Sequence, residues 1–139
     1  MATEAAWVKK LNKQEPLKDI YSCGISNPYL GGIPDRYYEG SFKSLWIEFK
    51  HIKKESYRFN APAEITSLQK TWLIRCYKNH QYPLVIVGIG LSKGFILDCP
   101  ADWESVWLPA RHKKRHFSIL KIAEYITLRV NNIGFKDEI

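Results

Sequence analysis

Cysteine, acidic charge and long apolar runs are all scarce in this sequence, and each scarcity removes a class of protein. The three cysteines, Cys23, Cys76 and Cys99, are odd in number and show no Cys-x-x-Cys spacing. That usage builds neither a disulfide framework nor a zinc site, and it reads as reduced thiols in an intracellular chain. The longest apolar run, Leu84–Leu91, is far too short to cross a bilayer. No basic-then-apolar leader opens the chain, so no secretory signal is expected. Asp and Glu number 14 against 21 Lys and Arg, leaving a net charge of +7 and a pI near 9.3. A shortage of acid on that scale points to a polyanionic partner, nucleic acid before membrane.

What is present fits one domain, residues 1–139, with a single core. A length of 139 residues suffices without disulfide or metal staples. Hydrophobic content of 45% and a mean hydropathy of −0.31 are ordinary for a globular protein.

The chemistry gathers in Gly31–Lys50, which reads as a β-hairpin. Pro34 has no amide for a ladder and so stands at the start of a strand. Pro34–Glu39 then runs extended, Gly40-Ser41 turns, and Leu45–His51 returns. Along the return strand Leu45, Ile47 and Phe49 face a core, while Trp46, Glu48 and Lys50 take the opposite face. Glu48 and Lys50 then stand about 7 Å apart. The hairpin can carry Asp35 beside Glu48. Two carboxylates and an ammonium converging on one spot suit a hard divalent cation and an anionic substrate.

Pro34-Asp35, twelve residues, then Glu48-Phe49-Lys50 resembles the PD-(D/E)xK nuclease signature. The closer likeness is to its VRR-NUC branch, with Gly-Ile-Pro-Asp-Arg, an apolar strand ending in Glu-Phe-Lys, and a helix opening near a glutamine, here Gln69. The resemblance spans roughly residues 4–90. It implies an α/β (α+β) fold, a restriction-endonuclease-like core over 1–98 with a mixed central β-sheet flanked by helices. Residues 99–139 then form an extension with an extra C-terminal helix. It further implies a metal-dependent DNA endonuclease using Mg²⁺ (or Mn²⁺) and no organic cofactor. Asp35, Glu48, the Phe49 backbone carbonyl and Glu4 would be metal ligands, with Lys50 and Gln69 completing the catalytic set. Structure-selective cleavage of junctions and site-specific homing or restriction-type cleavage are both compatible with it. So is a nuclease fold kept as a non-catalytic binding module or regulator. The implied setting is the cytoplasm of a bacterial or phage-infected cell, and the implied assembly is a homodimer.

Around that centre the elements follow from local signals. Thr3 caps a first helix to about Asn12, with Trp7, Val8 and Leu11 on its apolar side. Glu4 falls in its first turn, where the helix dipole alone would favour a carboxylate. Leu17–Cys23 reads as a short strand or extended segment, ended by Gly24. Asn27-Pro28 and Gly31-Gly32 make a loop whose glycines serve either close approach of a ligand or a positive φ. Pro62 blocks an early helix start. Thr66 or Ser67 then caps a helix to about Asn79, with Leu68, Trp72, Ile74, Cys76 and Tyr77 as its apolar residues. Leu84–Ile89 is a strand covered on both faces, and Gly94–Asp98 another.

Basic residues interleave with aromatics over His51–Asn60, where Lys53, Lys54 and Arg58 could follow a phosphate backbone or simply be solvated. Arg36 and Lys70 flank the hairpin and the glutamine. Arg111, Lys113, Lys114 and Arg115 form a second basic run, expected to contact phosphates. His112 and His116 have a metal-compatible spacing, but no third ligand accompanies them and three cations intervene. Ser118 caps a last helix bearing Ile119, Ile122, Ala123, Ile126 and Val130 on one face. Trp103, Trp107 and that apolar face exceed what one core needs, and predict the dimer contact.

Overall fold

A computed structural model of the chain describes residues 2–25 and 31–132. A first helix, α1 (Glu4–Asn12), is followed by a 3₁₀ turn and strands β1 (Tyr21–Gly24), β2 (Arg36–Glu39) and β3 (Ser44–Ile52). Next come β4 (Phe59–Asn60), the short helix α2 (Ala61–Glu64) and α3 (Ser67–Lys78). Strands β5 (Leu84–Ile89) and β6 (Lys93–Leu97), helix α4 (Pro100–Trp103), β7 (Val106–Trp107), β8 (His116–Ser118) and α5 (Ile119–Asn131) complete it.

Six strands form one mixed sheet in the order β1-β2-β3-β5-β6-β8. Only the β3–β5 pair is parallel within it, Ile47 lying opposite Leu84, and α3 makes the crossover. Period-2 alternation sends the two sets of β3 and β5 side chains into two separate cores. On one face Leu45, Ile47, Phe49, Leu84 and Ile86 pack under α1 and α5. On the other, Ile52, Val85, Val87, Phe95 and Leu97 pack under α3, with Phe59, Ile65 and Trp103. Every residue of β5 is buried, as the continuous apolar run predicts.

Trp7 fixes helix α1 to its face. The Trp7 ring lies on Gly88, where a Cβ would come within 2.7 Å of it. Its indole Nε1 donates to the Lys93 carbonyl at 2.9 Å. Thr3 accepts from the Ala6 amide, so the helix starts where its cap predicts. At the other end of the molecule the β2–β3 turn closes over α5: the amides of Phe42 and Lys43 donate to the Val130 carbonyl at 2.9 and 3.0 Å.

Four expectations change. Leu17 ends the 3₁₀ turn Glu15–Leu17, and the strand begins only at Tyr21. Pro62 does not block a helix; it sits in the first turn of α2, where a missing amide costs nothing. On α3 the buried residues are Leu73 and Cys76, whereas Leu68 is 63% exposed and Trp72 lies at the margin. Finally, Ile122 and Ile126 are fully buried under the sheet, so the apolar face of α5 closes the core and is not an interface. Trp103, fully buried, belongs to the second core in the same way. A sheet has two faces to cover, and the C-terminal third supplies cover for both.

The Asn27-Pro28 part of the expected loop lies outside the described residues. Gly32 has a φ of +88°, and a Cβ there would meet the Leu68 carbonyl at 2.4 Å. Its smallness thus serves a left-handed turn pressed on the start of α3.

Candidate active site

The site lies where β2 and β3 part. Arg36 opposite Ile47 is the last pair of that ladder, so β3 beyond Ile47 has a strand partner only on its β5 side. Asp35 fills the vacated position: its Oδ2 accepts from the Phe49 amide at 3.0 Å. The β2 ladder has ended by then, so the Phe49 amide takes its acceptor from a side chain and not from a strand carbonyl. The carbonyl of a strand residue points to the same edge as its amide, so that of Phe49 also faces the gap.

Glu48 points to the α3 face and is only 2% exposed. Its Oε2 accepts from Gln69 Nε2 at 3.0 Å and lies 3.5 Å from Lys50 Nζ. Its Oε1 is buried and has no hydrogen-bond partner among the described residues. Burial first, and then the Asp35 carboxylate within hydrogen-bonding reach, push the Glu48 carboxyl up to about 8, with Lys50 opposing. Two acceptors facing each other in a dry place can be reconciled only by a proton or a cation.

Gln69 holds the arrangement rigid. Its Oε1 accepts from the Thr66 amide at 3.0 Å and from Lys50 Nζ at 3.3 Å, while Thr66 Oγ1 accepts from the Gln69 amide at 3.2 Å. One residue therefore completes a capping box and bridges Glu48 to Lys50. The aromatic partner that the helix offers is Trp72, which meets the Trp46 ring at 5.3 Å between centroids.

Glu4 stands on the opposite wall. Trp7 anchors α1 one turn later, and the N-terminal turn then borders a groove of about 560 Å³ that Asp35, Arg36, Phe49, Lys9 and Lys13 also line. Partial burial and the Asp35 charge raise the Glu4 carboxyl; Lys50 and His51 pull it down. The N-termini of α1 and α3 both open at this site, so two helix dipoles favour an anion there. The acids form an open set. Among the described residues, the group whose three ligand atoms all fall within 4.8 Å of one another is Asp98, Cys99 and Asp102. No sequence pattern announces it, because the residues meet only through the α4 turn.

The basic residues divide. Lys53, Lys54, Arg58, Arg111, Lys113 and Lys114 are exposed, and the Ala110 amide donates to the Glu55 carbonyl at 3.0 Å, holding the two basic segments side by side. Three other expected phosphate contacts are already engaged. Arg115 pairs with Asp102 at 3.2 Å and lies 4.6 Å over the Trp107 ring. Lys70 pairs with Glu104 at 2.9 Å, and Arg36 donates to Ser22 Oγ at 3.0 Å. Lys9 and Lys13 join the site from outside the expected basic set, although their i, i+4 spacing on the face of Ala5 marks them. His112 and His116 do not meet: the first packs on Trp107, the second on Phe95.

No protein-family model and no curated protein matches the sequence. Among solved structures, the chain is similar to Hjc of Archaeoglobus fulgidus, a Holliday junction resolvase from an archaeal hyperthermophile. The TM-score is 0.58 at 11% identity, over 86% of this chain and 98% of that one. At that identity the likeness is one of fold. Among the described residues no helix is long and apolar enough to cross a membrane. The chain has the restriction-endonuclease-like fold, a six-stranded mixed sheet between helices, that the resemblance carried by Pro34-Asp35 and Glu48-Phe49-Lys50 implies.

Proposed function

We propose that the protein is a divalent-metal-dependent DNA endonuclease, its whole chain acting as one nuclease domain. The observation that carries this reading is the Glu48 carboxyl beside Asp35, its buried Oε1 without a hydrogen-bond partner among the described residues. That arrangement fits a cation: it offers oxygen ligands only, in a site that is electrostatically incomplete without one. Asp35, Glu48 and the Phe49 carbonyl would hold Mg²⁺ or Mn²⁺, and Glu4 would serve a second position. Bound there, the ion lowers the pKa of a water molecule and offsets charge on the scissile phosphate.

The protein's own residues do the rest. Asp35 is oriented by the Phe49 amide and Glu48 by Gln69, so both carboxylates are in place before substrate arrives. Lys50, with one hydrogen bond to Gln69, has donors left for the attacking water or the phosphate oxygens. Lys9, Lys13 and Arg36 line the groove through which one strand would pass. The junction-resolving name of the structural neighbour favours branched DNA over a fixed recognition sequence, and the Gly-Ile-Pro-Asp-Arg and Glu-Phe-Lys pattern favours the VRR-NUC branch. Two copies would set two sites against two strands, a homodimer acting on DNA within the cell. Phe117, Leu120 and Leu128 are exposed apolar residues available for that contact.

The test is cleavage of branched, nicked and fully paired DNA in Mg²⁺ and in EDTA, with light scattering for stoichiometry. Metal-dependent cutting with branched DNA preferred is expected. Absence of cutting under all conditions would reject the reading.

A further inference from the structure

The tryptophans fall into two kinds. Of the five in the chain, Trp7, Trp103 and Trp107 each donate their indole N–H to a backbone carbonyl, at 2.9, 3.0 and 3.0 Å. Trp46 and Trp72 donate to nothing among the described residues, and both are partly exposed. A tryptophan that serves only packing buries its ring and satisfies its N–H. These two are only partly buried, as Trp107 is, and unlike it they leave the N–H without an acceptor among the described residues.

They also form a continuous ladder of tilted, edge-to-face rings. Tyr37 lies directly opposite Trp46 on the neighbouring strand. The rings of Tyr37 and Trp46 are 5.0 Å apart, and those of Trp46 and Trp72 are 5.3 Å apart. The Arg75 guanidinium stands 5.9 Å from the Trp72 ring, is exposed, and makes no ion pair among the described residues. Leu68, one helical turn before Trp72 and 63% exposed, extends the same stripe of α3.

The ladder is continuous with the carboxylate site. Trp46 precedes Glu48 by two positions and shares its face of β3, which puts them about 7 Å apart. Trp72 follows Gln69 by three positions, on the same side of α3. An aromatic surface, an unpaired cation and a phosphate-compatible site thus adjoin. That combination of π-faces with positive charge suits a nucleotide, whose base stacks while its phosphate meets the cation.

We propose that Tyr37, Trp46 and Trp72, closed by Arg75, form a stacking platform for an unpaired base flanking the scissile phosphate. The proposal rests on the endonuclease reading and adds to it the cause of selectivity. A paired base is already stacked and cannot reach the platform, whereas a base at a branch point or flap can.

The probe is 2-aminopurine, placed either at the unpaired position next to a duplex end or in the same sequence fully paired. Its fluorescence is followed on binding with Ca²⁺ in place of Mg²⁺. Strong quenching is expected at the unpaired position and little in the paired duplex. Trp72→Ala should abolish the quenching and weaken flap binding about tenfold, and Trp72→Phe should retain most of both. Circular dichroism checks each fold. If Trp72→Ala does not fold, Arg75→Ala, at an exposed position, should still reduce flap binding several-fold. Equal quenching in paired and unpaired DNA, or quenching that survives Trp72→Ala, overturns the platform. Cutting in Mg²⁺ is scored separately. Quenching without cutting by the parent protein would reject the endonuclease reading and leave the platform standing, while cutting without quenching rejects the platform alone.

Discussion

Two groups of acids among the described residues are opposite in kind. Asp98, Cys99 and Asp102 are the more compact, with ligand atoms within 4.8 Å of one another. Yet the Asp102 carboxylate in that group already has its donors. Asp102 Oδ2 accepts from the Asp98 amide at 3.3 Å and from Arg115 at 3.2 Å. Burial and Asp102 raise the Asp98 carboxyl, and Arg115 counters them. It is a turn with a built-in cation. Asp35, Glu48 and Glu4 are more loosely arranged, but Glu48 keeps a buried oxygen with no partner among the described residues, and the nearby Lys50 ammonium is shared with Gln69. Compactness of carboxylates therefore says little about metal chemistry. An uncompensated, desolvated oxygen says more, since folding would otherwise have supplied it a donor.

The largest contrast between the two groups is catalytic. Asp35→Asn, Glu48→Gln and Lys50→Ala should each lower DNA cleavage by about three orders of magnitude or more, with DNA binding retained. Asp98→Asn and Asp102→Asn should leave cleavage within a few-fold. Asp102→Asn should instead cost about 1 kcal/mol of stability or less, because it removes the charge that the partly exposed Arg115 pairs with. Steady-state cleavage of one branched substrate, with thermal melting beside it, checks both halves. A loss of cutting in Asp102→Asn equal to that in Asp35→Asn would move the active site to the compact cluster.

Next in size is the effect of the residue that holds the loose group together. Gln69→Ala removes the donor to Glu48, the acceptor for Lys50 and half of the capping box. It should lower cleavage about 10- to 100-fold, as loss of a ligand-orienting partner does, and destabilise by about 1 kcal/mol. Gln69→Glu separates the two effects. A carboxylate still accepts from Thr66 and so keeps the cap, but it places another negative charge beside Glu48. Stability near that of the parent with impaired, alkaline-shifted cleavage is expected.

How much of this was legible follows from range. The caps are local: Thr3 and Ser118 form as read, and Thr66 takes the place left open between it and Ser67. Strand alternation put Glu48 and Lys50 on one face, and hairpin spacing brought Asp35 to them. What the sequence withheld was depth. The alternation makes Glu48 the polar side of a strand and suggests an outward residue; only the packing of α3 makes it 2% exposed. The same blindness affects α5, whose regular apolar face reads as surplus because the run Leu84–Ile89 announces cover on both faces without saying which element supplies it beside Leu84 and Ile86. The second basic run shows it again: Arg115 reads as a phosphate contact until the α4 turn brings Asp102 to it.

Depth has a pH signature. The Glu48 carboxyl, ordinarily near 4.5, sits at about 8 in the folded protein. Between those values the folded state keeps a proton that the unfolded chain has released, so stability falls as pH rises through the window. Glu4 adds to the same trend. Metal-free protein should therefore melt several degrees lower at pH 8 than at pH 5. Glu48→Gln should flatten the profile and melt above the parent at pH 8. Mg²⁺ should raise the parent's midpoint more at pH 8 than at pH 5, because the ligand must lose its proton to bind. A parent profile as flat as that of Glu48→Gln would mean that Oε1 has found a partner after all. The compact cluster makes a different prediction, since Asp98→Asn leaves the Glu48 window untouched.

The smallest effect distinguishes exposed cations from engaged ones. Lys113 and Lys114 are exposed, and the Ala110 amide ties their segment to the one bearing Lys53 and Lys54. If this joint surface follows the phosphate backbone, Lys113→Ser with Lys114→Ser should reduce the slope of log K against log salt by ~0.9 for each phosphate that is no longer neutralised. Arg115→Ser should behave otherwise. Its charge is spent on Asp102, so it should lower the melting midpoint and leave the salt slope nearly unchanged. Fluorescence anisotropy over the roughly 50 to 200 mM salt range, where phosphate contacts tell most, resolves the two outcomes. A slope unchanged by the lysine pair would transfer the footprint to Lys9 and Lys13, which line the groove beside Asp35. A slope that falls with Arg115→Ser would show that the Asp102 pair opens on DNA, making the compact acidic cluster a competitor for the same cation that phosphate recruits.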